Sequence, residues 1–262
     1  MVLEQVGYFH LVDHSRDPRP ELSRCLDECL ERRTAGNPES KTLIVLPEGC
    51  NLGRPYNTDP SKALQASRTK PKVNGESMVQ FLRETASKLP LVFVASVIDG
   101  DRTNCAYFIS GHKTLVICRK MNDDGSGEYV HDDSSRRDEQ NPVPGEGDPI
   151  VASLICMDAL QQAPASDDRI KRSNARRKNL LSTLNQRKKT FLLCVPAAYN
   201  REVSWLAWNN FAEPSGPRGY VVFANSILTH CPSGIFDGAG QRIGNAPLAQ
   251  NRIDIVSLAD LR

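Results

Sequence analysis

The chain has 262 residues, of which 24% are charged and 39% are hydrophobic, and its formal net charge at pH 7 is +2. A chain of this length can bury a large core, and one α/β domain over residues 1–262 accounts for it. The small net charge argues against nucleic acid or an anionic membrane as an obligatory partner. No apolar run reaches the roughly eighteen residues that a membrane helix needs.

The N-terminus and the cysteines together indicate a compartment. Residues 1–6 lack the basic and apolar regions of a signal peptide, which predicts a cytoplasmic location. There the eight cysteines are expected to be reduced. Cys25 and Cys29 share one face of a predicted helix, but no second pair stands nearby at zinc-finger spacing. We interpret both as packing residues.

Strands and helices alternate through the first half of the chain. Apolar periodicity predicts strands over 5–12, 42–47 and 91–98, helices over 21–33 and 75–89, and a hairpin of strands 104–110 and 113–118. Pro47 cannot donate to a sheet ladder, so the second strand should end there and place Glu48 in the following loop. Lys120 comes directly after the hairpin.

The stretch from Asn122 to Asp148 is rich in Asp, Gly, Pro and Ser and has almost no apolar periodicity. It is too long for a plain connection. We interpret it as an active-site lid or a mobile insertion.

The second half of the chain again alternates strands and helices. The predicted elements are strands over 151–155, 190–195, 219–224 and 252–258, a hairpin over 234–243, and helices over 174–185 and 205–211. Nine Lys and Arg residues between Arg169 and Lys189 could form a nucleic-acid patch, but the small net charge favours one solvated helix face. The pattern predicts a single α/β domain with a mixed pair of sheets.

Cys156 follows one of these apolar runs. The segment Val151–Ile155 has the length and apolarity of a strand buried on both faces. In open α/β sheets, chemistry collects at the carboxyl ends of strands, which favours a functional Cys156. The alternative is a structural thiol, because cysteine commonly behaves as a small core residue.

Two further reactive side chains stand at strand ends. Glu48, Lys120 and Cys156 each follow an apolar run, so all three could meet on one rim of a sheet. A carboxylate can take the thiol proton, and an ammonium favours both the thiolate and a developing oxyanion. The combination favours acyl transfer. The alternative for Glu48 and Lys120 is a surface ion pair, which would stabilise the protein little.

Three motifs carry a family resemblance. In chain order, Leu46–Glu48, Arg119–Lys120 and Ile155–Asp158 resemble the Glu-Lys-Cys signature of the nitrilase superfamily of carbon–nitrogen hydrolases. The family's hairpin, pocket segment and late strands are resembled by residues 104–111, 195–199 and 220–237, so the resemblance covers nearly the whole chain. It implies a four-layer α-β-β-α sandwich, usually paired into dimers through its outer helices.

The resemblance also implies roles for individual residues. Cys156 would be the nucleophile, Glu48 the general base, and Lys120 the cation that stabilises the oxyanion. Since the lysine supplies the positive charge, no metal and no cofactor is expected. In the pocket, Glu128 matches a second glutamate that many members have, and the Met157 N–H would complete the oxyanion hole.

The same family likeness places Tyr199 in the segment that lines the pocket, and three departures from the family pattern surround that pocket. The family often has His soon after its lysine, where this chain has Met121 and Asn122. An aromatic residue commonly follows the cysteine, and a Phe-Pro-Glu-like turn usually follows the aspartate; here Met157 and residues 159–162 occupy these places. These departures bear on which substrate the pocket accepts more than on the reaction that the triad performs.

The resemblance predicts a cysteine-dependent amidase that hydrolyses a small linear amide or carbamoyl compound. Asp158 resembles the amidase-like branches, whereas true nitrilases typically show Trp-Glu after the cysteine. The alternatives are a nitrile hydrolase or acyl transferase on the same triad, or a catalytically weak oligomeric binding module. We expect a homodimer or higher homo-oligomer formed through the helices that flank the Cys156 strand, with the basic 169–178 run near its rim, and neither nucleic acid nor membrane as partner.

Overall fold

The computed structural model describes residues 2–10, 17–32, 40–52, 73–98, 103–121, 138–144, 148–159, 168–197, 219–225, 233–244 and 252–261, and the following account concerns these residues. They include the α-helices α1 (Arg19–Glu31), α2 (Gly75–Lys88) and α3 (Asp168–Gln186). No helix among them is long and apolar enough to span a bilayer.

The strands form two sheets. In chain order they are β1 (Leu3–His10), β2 (Lys41–Val45), β3 (Leu91–Ile98), β4 (Asn104–Ile109), β5 (Thr114–Arg119), β6 (Ile150–Ser153), β7 (Phe191–Ala197), β8 (Gly219–Asn225), β9 (Gly234–Phe236), β10 (Arg242–Ile243) and β11 (Arg252–Ser257). One sheet has six strands in the order β11-β1-β2-β3-β4-β5, and the other has five in the order β10-β9-β8-β7-β6.

The direction of the strands determines which loops share an edge. β2 runs parallel to β3, and the antiparallel β3–β4–β5 meander returns β5 to the same direction. The loops that follow β2 and β5 therefore leave the six-stranded sheet at one edge. In the other sheet β6, β7 and β8 are parallel, so their carboxyl ends also share an edge.

Helices cover the sheets on their outer sides. α1 and α2 bury their apolar faces against the six-stranded sheet, in one hydrophobic cluster with residues such as Ile44 and Phe93. Cys25 and Cys29 belong to this cluster, which confirms them as packing residues. A second cluster joins the inner faces of the two sheets and includes the buried leucines of α3. The predicted α-β-β-α layering is confirmed.

Most predicted elements lie within a few residues of the observed ones. The run predicted as strand 91–98 is β3 with the same bounds, because both of its faces are buried. β6 ends at Ser153, earlier than predicted, and Cys156 begins a short 3₁₀ turn, Cys156–Ala159. The predicted helix over 205–211 and most of the predicted lid over 122–148 lie outside the described residues.

The basic run of α3 is not a single solvated face, and that part of the prediction is wrong. Lys171 and Lys178 are exposed, but Arg177 is buried and the side chain of Arg176 is only 12% exposed. The charge pattern gave no sign of this, because the acceptors that these two arginines contact are distant in sequence: Arg119 O and Glu139 for Arg176, and Ala159 O for Arg177.

A glycine in β8 gives a test of the packing. Gly219 pairs with Phe191 of β7, and a Cβ at position 219 would lie 2.3 Å from Cζ of that buried ring. We expect Gly219→Ala to lower the free energy of unfolding by about 1–3 kcal/mol, as overpacking of a core typically does. Urea denaturation measures the change.

The control is Phe191→Leu, which removes the atoms that would clash. In that background Gly219→Ala should lower the free energy of unfolding by a clearly smaller amount. An equal cost in both backgrounds would show that the ring is not what the new methyl group meets.

Candidate active site

A buried ion pair lies at the carboxyl ends of β2 and β5. Glu48 follows β2 and Lys120 follows β5, and the two residues are only 4% and 7% exposed. Lys120 Nζ donates to Glu48 Oε1 at 2.7 Å. The pair is therefore not the surface ion pair considered as the alternative. Removing one partner of a buried pair typically costs about 3–5 kcal/mol, because the other charge is left without compensation.

A chain of polar groups stands behind Glu48. Asn104 Nδ2 donates to Glu48 Oε1 at 2.7 Å, and Asn104 Oδ1 accepts the hydroxyl of Ser96 at 2.6 Å. Ser96 Oγ in turn accepts the N–H of Gly49 at 3.3 Å. The backbone also contributes, since the N–H of Lys120 donates to the carbonyl of Asn104 at 2.9 Å. Both Ser96 and Asn104 are fully buried.

Cys156 comes from the other sheet. It begins the 3₁₀ turn after β6, is 5% exposed, and has a φ of 48°. A positive φ is uncommon for any residue other than glycine, and such backbone strain is concentrated at functional sites. The end of β6 is held by Asn141, whose side chain donates to Ser153 O at 2.6 Å and accepts from Ser153 N–H at 3.2 Å.

Asp158 joins the Cys156 turn to the loop that carries Lys120. Its Oδ2 accepts the N–H of Met121 at 2.7 Å, and its Oδ1 accepts the hydroxyl of Ser173 from α3 at 2.8 Å. Asp158 is fully buried. Since it is two residues from Cys156 and Met121 is next to Lys120, this hydrogen bond holds the thiol and the ammonium in neighbouring segments.

A backbone contact joins the loop of Glu48 to the second sheet. The N–H of Glu48 donates to the carbonyl of Ala197, the last residue of β7, at 3.2 Å. β6 is the parallel neighbour of β7, with Ser153 opposite Cys194, so Cys156 emerges at the same edge as Ala197. The expectation of one rim of one sheet is wrong in this respect: Glu48 and Lys120 belong to one sheet and Cys156 to the other.

α3 also holds the strand that carries Lys120. Arg176 donates through Nη1 to the carbonyl of Arg119 at 2.7 Å and through Nη2 to Glu139 Oε2 at 2.5 Å. Glu139 Oε1 accepts the N–H of Arg119 at 2.8 Å. Both backbone groups of Arg119 are thus bound to side chains, which fixes the residue that precedes Lys120.

Burial affects the titration of several groups around the site. It raises the pKa of the Asp158 carboxyl, against the opposing effects of the Met121 N–H, Arg176, Ser173 and Lys120. Burial also raises the pKa of the Cys50 and Cys118 thiols to about 12. These two thiols are neutral at physiological pH and unsuited to act as nucleophiles.

The remaining residues named from the sequence are placed as follows. Met157 is the second residue of the 3₁₀ turn. Glu128 and Tyr199 lie outside the described residues. The sequence reasoning missed Ser96 and Asn104, although both are polar residues in apolar strands. A buried polar side chain needs a hydrogen-bond partner. Their presence in apolar strands was therefore the signal in the sequence that a polar network lies nearby.

Comparison of the chain with known proteins gives matches among solved structures. No family model matches the sequence, and no curated protein matches it significantly. Two of the similar structures are variants of an amidase from Nesterenkonia sp. AN1. One, in complex with butyramide, has a TM-score of 0.62 at 18% identity over 99% of this chain and 93% of that chain. The other, showing Michael addition of acrylamide at the active-site cysteine, has a TM-score of 0.61 at 15% identity over 97% and 93%.

A yeast structure shows the same likeness. Saccharomyces cerevisiae Nit3, a member of branch 10 of the nitrilase superfamily, gives a TM-score of 0.57 at 18% identity over 97% of this chain and 89% of that chain. The chain therefore has the fold of the nitrilase superfamily. This confirms the fold that the resemblance in sequence implied.

The buried carboxyl of Asp158 predicts a pH effect on stability. Because its pKa is raised from 3.8 in the folded protein, folding favours the protonated form. Its contribution to stability is therefore full below about pH 4 and is lost as the pH rises through the folded pKa. Asp158→Asn lacks this titration. The free energy of unfolding of the wild type minus that of Asp158→Asn should fall as the pH rises, measured by urea denaturation.

The control is Asp168→Asn, which makes the same change of charge at an exposed position. For this variant the difference in the free energy of unfolding from the wild type should not fall as the pH rises. A difference that rises with pH for Asp158→Asn would mean that the hydrogen bonds and cations around Asp158 outweigh its burial.

Proposed function

We propose that this protein is a carbon–nitrogen hydrolase of the amidase type. It cleaves a small linear amide or carbamoyl compound through a thioester on Cys156. The observation that carries the proposal is the buried Glu48–Lys120 ion pair, at the edge where the strained turn of Cys156 is held. The fold shared with superfamily amidases supports the same class of reaction.

The charges of the site suit cysteine chemistry. A thiol attacks as its thiolate, so it needs a base to take the proton and a positive charge to favour the anion. Glu48 supplies the base and Lys120 the charge. Because both are buried, water screens their interactions with a reacting group only weakly, and the electrostatic effect on a developing oxyanion is strong.

Acylation is the first half of the proposed reaction. Glu48 takes the proton of Cys156, and the thiolate forms a C–S bond with the amide carbon while the carbonyl π electrons move to oxygen. Lys120 and the Met157 N–H stabilise this oxyanion. The C–N bond then breaks, and the nitrogen leaves as ammonia or an amine with the proton that Glu48 had taken.

Deacylation uses the same residues. Water enters beside the thioester, Glu48 takes one of its protons, and the resulting hydroxide attacks the carbonyl carbon. The C–S bond breaks, the acid is released, and Glu48 returns the proton to the sulfur of Cys156. Substrate contacts are assigned to Glu128 and Tyr199 by the resemblance in sequence.

The names of the similar structures support the choice of substrate. The Nesterenkonia amidase is described with butyramide and with acrylamide, and another of its variants shows the acetamide moiety of fluoroacetamide added covalently at the active-site cysteine. These are small linear amides or their derivatives. We therefore propose an amide rather than a nitrile as the substrate of this chain.

The nucleophile is tested with an alanine variant. Cys156→Ala should abolish release of ammonia from butyramide and leave the fold intact, because replacing a thiol by hydrogen removes little volume. It should also abolish the mass increase that fluoroacetamide produces when the thiolate attacks its CH₂–F carbon, forming a C–S bond and displacing fluoride. Intact-mass spectrometry and an ammonia assay measure both.

The matched control is Cys194→Ala, another buried cysteine, located on β7. It should keep both activities. Turnover that survives in Cys156→Ala would exclude the covalent mechanism, and a wild type that releases ammonia from butyronitrile but not from butyramide would favour the nitrile alternative.

The cation is tested with a variant that keeps the side-chain stem. Lys120→Met should lower kcat on butyramide by about a hundred- to a thousandfold, the typical loss when an oxyanion-stabilising donor is removed. The loss of charge leaves Glu48 buried without its partner, so the variant should also be less stable at neutral pH. Steady-state kinetics and urea denaturation measure these effects.

Lys113→Met serves as the control, because Lys113 belongs to the same β4–β5 hairpin region but is at the surface, where it donates to Pro144 O at 3.0 Å. It should retain wild-type kcat. A folded Lys120→Met protein with near wild-type turnover would limit Lys120 to a structural ion pair.

A further inference from the structure

We propose that Asn104 is a positioning residue that gives the two oxygens of Glu48 different tasks. Oε1 is held by Asn104 and Lys120, and Oε2 exchanges the proton with Cys156, the leaving group and water. This inference rests on the proposed function, and it names the atom of Glu48 that acts as the base.

One oxygen of the Glu48 carboxylate already holds two donors. Glu48 Oε1 accepts two hydrogen bonds of 2.7 Å each, one from Asn104 Nδ2 and one from Lys120 Nζ. A carboxylate oxygen has two lone pairs, so these two donors occupy both of them. A proton arriving at Oε1 would have to displace one donor. The proton from the thiol therefore goes to Oε2.

The hydrogen bonds behind Glu48 have a fixed direction. The N–H of Gly49 can only donate, and it donates to Ser96 Oγ, so the Ser96 hydroxyl is free to turn its own proton to Asn104 Oδ1. This places the NH₂ group of Asn104 towards Glu48, which can only accept. The orientation of the Asn104 amide thus follows from its neighbours at both ends.

The same hydrogen bonds make the Glu48 turn rigid. Gly49 is the residue after Glu48, so the chain of hydrogen bonds starts and ends within one dipeptide and forms a closed ring through β3 and β4. Gly49 has a φ of +60°, and a Cβ there would lie 2.7 Å from Leu52 Cδ1. The turn therefore requires glycine, and its N–H direction is fixed.

The ring also has a consequence for protonation. Hydrogen bonds to a carboxylate favour its ionised form, so loss of Asn104 makes Glu48 easier to protonate. The titratable groups placed around this carboxylate are Lys120, which contacts it, Asp158, which binds the N–H of Met121, and Cys156, which exchanges the proton with it in the proposed mechanism. Of the two donors to Oε1, Asn104 is the uncharged one, so its removal tests the hydrogen bond without removing a charge.

The experiment compares the pH dependence of kcat/KM for butyramide in the wild type and in Asn104→Ala. The acid limb of the profile should move to higher pH by about one to two units, the size expected for loss of a hydrogen bond to a charged group. With Glu48 less firmly held, kcat should fall by about ten- to a hundredfold with little change in KM. Asn104→Leu repeats the test with the side-chain volume retained.

Two controls separate positioning from stability. Asn51 is another fully buried asparagine, and in the part of the chain that the structure describes its amide bonds to backbone groups of Val73 and Ile98. Asn51→Ala should destabilise the protein and leave the acid limb in place. Ser96→Ala removes the group that orients Asn104 and should move the acid limb in the same direction as Asn104→Ala, by a smaller amount.

A readout independent of turnover distinguishes this inference from the proposed function. The infrared carboxyl band of Glu48, identified by its loss in Glu48→Gln, is followed against pH. In Asn104→Ala it should titrate at higher pH than in the wild type, whether or not the protein hydrolyses amides. An unchanged titration and an unchanged acid limb would overturn the role of Asn104, whereas absence of Cys156-dependent amide hydrolysis in the wild type would overturn the proposed function alone.

Discussion

The need to compensate two buried charges organises this end of the molecule. Glu48 and Lys120 are both removed from water, and desolvation of such a pair is unfavourable unless further hydrogen bonds surround it. The structure supplies them from the neighbouring strands, with Asn104 and, behind it, Ser96. These two polar residues stand in otherwise apolar strands because the ion pair requires them. Because these hydrogen bonds hold the pair and burial excludes water, the pair is rigid and weakly screened. Electrostatic stabilisation of a reacting group needs both properties.

The second requirement is to join the segments that carry the pair and Cys156, which come from different sheets. Two contacts at the shared edge do this: the N–H of Glu48 with Ala197 of β7, and Asp158 of the 3₁₀ turn with the N–H after Lys120. Asp158 is fixed in turn by Ser173 of α3, so an outer helix takes part in placing groups between the sheets. The positive φ of Cys156 is maintained within this set of contacts.

Local patterns in the sequence predicted most strands and the residues at the strand ends, and the family resemblance implied the layer order. β3 could be predicted residue by residue, because a run buried on both faces has no polar interruption except Ser96. The network around Glu48 could not, because Asn104 is 56 residues away along the chain and periodicity reports only on local neighbours. For the same reason Arg176 looked solvated, although its acceptors fold back against α3 from the Lys120 strand.

The division of the site between two sheets has a consequence for the nascent chain. Until the sheets dock, no segment carries both the base and the nucleophile of the proposed mechanism, since Glu48 and Cys156 follow strands of different sheets and the N–H of Glu48 reaches the second sheet at Ala197. A cysteine without an adjacent base and cation reacts as an ordinary thiol. During synthesis and folding Cys156 is therefore chemically similar to the other cysteines of the chain. In the proposed mechanism the activation of Cys156 thus depends on docking of the two sheets, so a half-formed molecule would carry no activated thiol.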